Sequence, residues 1–224
     1  MKKTNLLLTA LLIIGPLFSI QSQDKFSKRK IANLKQEVSR LVEDDKKATQ
    51  VMVDKVFSFA ELGFQEFETS GYLTQILEKN GFEITYGISG VPTAWLASWS
   101  NGEGGPTIAL GSDIDGIPVA SQYPGVAYHK PMVENAPGHG EGHNSGLPVV
   151  ITAAISVKQI MTDNNIQGKL VIWPGVAEEQ IGTKAWYVRD GYFDNIDMCI
   201  FTHVSNNLSV SWGCLLYTSP SPRD

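Results

Sequence analysis

The residues of the chain that could do chemistry at closest spacing lie at positions 137–146, P-G-H-G-E-G-H-N-S-G. His139, Glu141 and His143 alternate there with Gly138, Gly140 and Gly142, and half of the chain's 4 histidines fall in this stretch. Glycine admits backbone angles that other residues resist and lets a ligand approach the chain closely. Imidazole together with carboxylate is a donor set suited to zinc and related divalent cations. The spacing differs from the helical His-Glu-x-x-His motif, so a glycine-rich connector with water-facing polar residues stands beside the metal reading. Phosphate binding is disfavoured, because Glu141 would repel the anion and no Gly-Lys-Ser/Thr follows.

Three further clusters carry the same kind of chemistry. G-S-D-I-D-G-I-P places Asp113 and Asp115 at the end of an apolar run, where open α/β sheets bind ligands. Both aspartates share one side if the strand continues through them; an aspartate-rich turn is the alternative. V-A-E-E-Q-I-G-T-K sets Glu178 beside Glu179 after another apolar run. Adjacent carboxylates disfavour joint ionisation, and a cation removes that cost, although Glu-Glu also suits a helix N-terminus. His203 closes a third apolar run. A lone histidine is commonly structural, but the repetition of polar residues at strand ends favours a site.

These clusters need elements to position them. Residues 25–60 show a helical stripe of Ile31, Leu34, Val38, Leu41 and Val42 on a charged background. A second helix is expected over 66–80, ended by Asn80-Gly81. Strands follow at 82–86, 94–99 and 107–111, then a helix at 147–162, a strand at 169–173, a helix at 183–189 and a strand at 198–202. Strand–helix alternation indicates an α/β sheet with helices on its faces. No G-x-S-x-G elbow and no Rossmann fingerprint is found.

Composition fits a water-soluble globular protein, with 42% hydrophobic and 18% charged residues among 224. A net charge of −5 argues against a nucleic-acid surface. Residues 1–23 read as a signal peptide: Lys2 and Lys3, an apolar run at 6–14 interrupted by Thr9, Pro16, and a small or polar zone at 19–23. The run is short for a membrane span, so periplasmic or secreted bacterial protein is expected, free of the membrane after cleavage. Only 2 cysteines are present, so stability must come from a core, and Cys199 is expected to be a buried small hydrophobe.

Taken together, S-D-I-D-G-I-P, G-H-G-E-G-H-N-S-G, W-P-G-V-A-E-E-Q-I-G-T-K and T-H-V resemble, in order, the motifs of the M20 metallopeptidase/amidohydrolase family. The resemblance spans roughly residues 51–213 and is nearest to the aminobenzoyl-glutamate hydrolase-like amidohydrolases. It implies a three-layer zinc-peptidase-like sheet with helices on both faces. It also implies two divalent metal ions, zinc or alternatively manganese, that serve hydrolysis of an amide or peptide bond beside a free carboxylate. By position, Glu179, His143 and His203 match metal ligands, Glu178 the general base and Asp115 an orienting aspartate. Glu141 stands where many members of this branch have cysteine and other branches a bridging carboxylate, so it is counted among the ligands. Asp113 falls where other branches carry a ligand histidine and is given a supporting role; His139 and His129 receive none. Family members continue with an inserted α+β lid and dimerisation domain and a returning half that supplies a final histidine. Residues 24–213 are therefore expected to be the N-terminal part of the catalytic domain, inactive alone, and 214–224 a non-native tail. The full-length form is expected to act on a small-molecule amide or peptide as a homodimer. A non-catalytic relative that binds metal or an amino-acid conjugate, and an exported structural domain, are the competing readings.

Overall fold

The computed structural model describes residues 26–180 and 182–210. The expected signal peptide and the expected tail lie outside the described residues. The element order is α1 (Lys28–Asp44), α2 (Lys46–Phe59), α3 (Phe67–Lys79), β1 (Glu83–Tyr86), β2 (Trp95–Asn101), β3 (Thr107–Asp113), α4 (His143–Asp163), β4 (Gly168–Gly175), α5 (Thr183–Arg189) and β5 (Met198–Phe201). Short 3-10 turns occupy Ile88–Gly90 and Glu178–Gln180.

The helical stretch expected over 25–60 is two helices. Ser27 caps the first, its hydroxyl accepting from the Lys30 N–H at 3.2 Å. The break falls at Asp45, in the run E-D-D-K-K, where the backbone leaves helical angles. Aspartate readily competes with helix by local hydrogen bonding, so a break there fits its chemistry. None of the residues of α1 is buried.

The five strands form one mixed sheet in the order β1-β2-β4-β3-β5. β1 and β2 are antiparallel, as are β2 and β4; β3 runs parallel to both β4 and β5. The register sets Thr107 opposite Lys169 and Asp113 opposite Gly175, so β3 and β4 end level with one another. β4 has a neighbour on each side and is buried at every position but Lys169. Such a strand reads as a continuous apolar run. Leu170 faces Val157, Ile160 and Met161 of α4, whereas Trp173 meets Tyr187 of α5, Phe193 and Phe201. Residues an odd number apart on a strand point to opposite faces, so helices cover both sides of the sheet as expected. Leu147, Val150, Ile151 and Ala154 of α4 join Trp95, Ala97, Ala109 and Ile172 in the core.

Two differences from the sequence reading have local causes. α4 begins at His143, a turn earlier than expected, and runs through Gly146 and Pro148. A Cβ on Gly146 would overlap the Ser112 hydroxyl and come within 2.8 Å of Ser112 Cβ. That glycine is the contact through which α4 rests on the end of β3. Cys199, expected to be buried, is exposed with the rest of β5, which pairs with β3 only.

Candidate metal centre

The carboxyl ends of β4, β3 and β5 lie side by side, and every expected site residue follows one of these strands. Asp115 lies just beyond β3, and Glu141 and His143 flank the start of α4. Glu178 and Glu179 form the turn after β4, and His203 follows β5. Donor atoms of Glu141, His143 and Glu179 all lie within 4.8 Å of one another, and so do those of Asp113, His143 and His203. His203 Nε2 is 3.9 Å from a Glu141 oxygen. The four residues expected as ligands are thus brought together around His143. The strand stops at Asp113, so the alternation expected through Asp115 does not apply, yet both aspartates reach the cluster.

Asp115 is buried and organises the inner part. The His143 Nδ1 hydrogen, placed by its partners, donates to the Asp115 carbonyl at 3.1 Å and to its carboxylate at 3.2 Å. The other Asp115 oxygen accepts from the Glu179 N–H at 3.0 Å. With Nδ1 so committed, His143 presents Nε2. His203 is arranged likewise: Nδ1 donates to the Val204 carbonyl at 2.7 Å, and Nε2 faces His143 Nε2 at 3.1 Å. The loop carrying His203 is tied to β3, since Thr202 N–H donates to Gly111 and Ser112 Oγ to the Thr202 carbonyl.

Two imidazole lone pairs facing each other repel unless a proton or a cation lies between them. With metal–nitrogen distances of about 2.1 Å, two tetrahedral ligands stand roughly 3.4 Å apart, close to this spacing. Glu179 Oε1 is buried without a hydrogen-bond partner. Burial, then the like charges of Glu141, Asp115 and Glu178, push the Glu179 carboxyl above its usual range, with His143 opposing. Burial alone would lower the His143 ring, but the hydrogen bond and charge of Asp115, with Asp113, raise it. An orphaned carboxylate oxygen amid crowded negative charge, beside two opposed nitrogens, fits a divalent cation.

Glu178 belongs to neither donor group among the described residues. Its side chain is 36% exposed and lies 3.9 Å from Lys184 Nζ, which also stands 2.7 Å from Asp113 Oδ1. That second contact is an ion pair rather than a well-aimed hydrogen bond. Burial raises the Asp113 carboxyl, against the pull of Lys184. His139 is half-buried and pinned to the Val56 carbonyl of α2 at 3.2 Å, and burial lowers its pKa, so it anchors the loop to the helices. His129 is exposed and belongs to neither donor group.

Two residues here were given no role by sequence. Glu66 is fully buried and accepts from the Ala177 N–H at 2.8 Å and the Thr93 hydroxyl at 2.9 Å. Ala177 has a left-handed φ of 52°, so Glu66 secures the strained bend that aims the Glu178–Glu179 turn. In the polar stretch F-Q-E-F-E-T nothing marks Glu66 as buried. Lys184 stood inside a quoted motif, but its buried partner Asp113 is distant in sequence. An open apolar groove of about 740 Å³ lies at the other end of the sheet, under α1 and α4, and contributes nothing to this cluster.

No family model matches the chain. It is 32% identical to a p-aminobenzoyl-glutamate hydrolase component of Escherichia coli over 173 residues, 75% of this chain and 35% of that protein. It is 27% identical to N-acetyl-L-cysteine deacetylase of Bacillus subtilis, over 68% of this chain and 35% of that one. Among solved structures, the YXEP protein of Bacillus subtilis, described as a dinuclear metal binding peptidase from the M20 family, superposes with a TM-score of 0.59. It is 23% identical, covering 74% of this chain and 45% of that one. The chain is similar to amidohydrolases, and its fold is that of M20 metallopeptidases. An aminobenzoyl-glutamate utilization protein from Klebsiella pneumoniae shares the fold, with a TM-score of 0.58 at 14% identity, over 75% of this chain and 46% of that one. The chain spans about a third of the length of the curated relatives named here.

Proposed function

We propose that the protein containing this chain is a metal-dependent hydrolase of an amide or peptide bond next to a free amino-acid carboxylate. The observation that carries the proposal is the pair of opposed Nε2 atoms of His143 and His203, 3.1 Å apart, each with its Nδ1 held by oxygen. Glu141, His143, Glu179 and His203 would hold two divalent ions, zinc first and manganese as the alternative. When bound, such ions polarise a carbonyl and ease the ionisation of water. Asp115 fixes the tautomer and orientation of His143 and steadies the Glu179 backbone. Glu178, outside the donor groups and partly open to solvent, is the general base: its carboxylate takes a proton from the attacking water and passes it to the leaving nitrogen.

The substrate class is drawn from relatives whose names specify aminobenzoyl-glutamate, N-acetyl-L-cysteine and carboxypeptidase substrates. Aminobenzoyl-glutamate-like conjugates, N-acyl amino acids and dipeptides are therefore the compounds to assay. We place the protein in the periplasm or outside the cell, as a homodimer in its full-length form. The test uses that form. Glu179→Gln should lower metal content and activity together. Glu178→Gln should keep metal content and substrate affinity while turnover falls about 10²–10⁴-fold. Equal metal loss in both variants, or unchanged turnover in Glu178→Gln, would overturn the assignment. Metal bound by the wild-type protein without turnover of any of these compounds would favour a non-catalytic binding relative.

A further inference from the structure

The cluster holds more carboxylates than the ligand set uses, and the structure treats Asp113 differently from the rest. Its side chain is 1% exposed, and it lies within donor distance of His143 and His203. On composition it could be a third ligand beside the two imidazoles. The ammonium of Lys184 nevertheless stands 2.7 Å from Asp113 Oδ1.

The place of that ammonium is built by several elements. A Cβ on Gly175 would overlap Asp113 Oδ1 and come within 2.8 Å of Lys184 Cε, so the end of β4 leaves room for the pair only because residue 175 is glycine. The ring of Phe201, at the end of β5, lies 4.6 Å from Nζ. Glu178 Oε1 lies 3.9 Å away on the remaining side. Among the described residues, Lys184 supplies the only ammonium or guanidinium ion paired with a site carboxylate. A buried carboxylate already facing a fixed monocation is a poor ligand for a dication. The two cations would repel at short range, and removing the lysine would leave a buried charge uncompensated.

We propose that Lys184 is a positioning residue whose ammonium ion holds Asp113 out of the ligand set and keeps Glu178 turned from it. A cation is thereby confined to Glu141, His143, Glu179 and His203. This rests on the metal reading above. Without Lys184, Asp113 joins His143 and His203 as a donor, and a different cation site opens.

Cobalt(II) titration of the 224-residue chain, followed by ligand-field absorption, tests the assignment. Lys184→Met should gain cobalt binding, either about tenfold in affinity or as an additional equivalent with its own bands. The double variant Lys184→Met/Asp113→Asn should lose that gain, and Lys184→Arg should keep the wild-type spectrum. Asp113→Asn alone, with Lys184 in place, should titrate like wild type, and this arm decides the matter if Lys184→Met does not fold. The proposal is overturned if Lys184→Met titrates like wild type, or if Asp113→Asn alone weakens cobalt binding by about tenfold or more. Failure of the metal reading has another signature: wild type and His143→Asn titrate alike. The Lys184 assignment is then still read from the difference between Lys184→Met and its double variant.

Discussion

The donors on the β3 side of the cluster and those on the β5 side are held very differently. His143 and Asp115 have side chains 2% and 0% exposed, and the Asp115 carboxylate alone accepts from the His143 ring and the Glu179 backbone. Glu141 and His203 are 52% and 39% exposed, and the His203 ring has a single backbone oxygen at its Nδ1. The inner half is fixed by the fold before any ligand arrives. In the outer half, His203 follows an edge strand whose residues are all exposed, and Glu141 lies on the glycine-rich loop before α4. The inner half should therefore answer to both stability and metal binding, and the outer half to metal binding alone.

The largest expected effect on stability comes from breaking the inner half. Asp115→Ala strips the acceptor from buried donors, so denaturant unfolding without metal should show a loss of about 2–3 kcal/mol. Metal affinity should fall about 10–100-fold as the His143 ring loses its anchor. A loss no larger than that of a surface substitution would erase the contrast.

Glu66 sharpens the comparison through pH. Burial, offset in part by its hydrogen bonds, raises its carboxyl above the unfolded value. The folded state therefore binds the proton more tightly. The cost of burying the ionised form is fully present above the folded pKa and is gone below the unfolded one. Glu66→Gln should stabilise the protein near neutral pH, an advantage that fades as pH falls toward the unfolded carboxyl's pKa. Unfolding curves recorded for both proteins across that window check it, and an advantage that grows toward acid would have the wrong sign.

The smallest effect belongs to the outer half. His203→Ala should change stability without metal by no more than about 0.5 kcal/mol, because the ring is exposed and lightly held. Its metal affinity should fall all the same, by titration calorimetry. A destabilisation equal to that of Asp115→Ala would show the two halves to be built alike.

Much of this site was legible in the sequence because its polar residues interrupt apolar strands. The endings of β3, β4 and β5 place Asp115, Glu179 and His203, and strand–helix alternation suffices to align them. Local sequence fails where a long-range contact overrides a local signal. The helix expected from 147 starts at His143 instead, on a turn that Gly146 lets rest on β3. Cys199 reads as core from its apolar neighbours, but its strand is paired on one side only. Glu66 stands at the start of an expected helix with nothing local to mark its burial, while its partner Ala177 lies 111 positions away. The Lys184–Asp113 pair is hidden for the same reason, since neither residue's surroundings name the other.

The central claim, that Glu141, His143, Glu179 and His203 together form the centre that holds divalent cations, is tested most directly by anomalous scattering from crystals grown with zinc. The account predicts strong anomalous density at the carboxyl ends of β3, β4 and β5, in contact with Nε2 of His143 and of His203, with Asp113 still facing Lys184. Density absent from that position, or found only at other surface carboxylates and histidines, would contradict it.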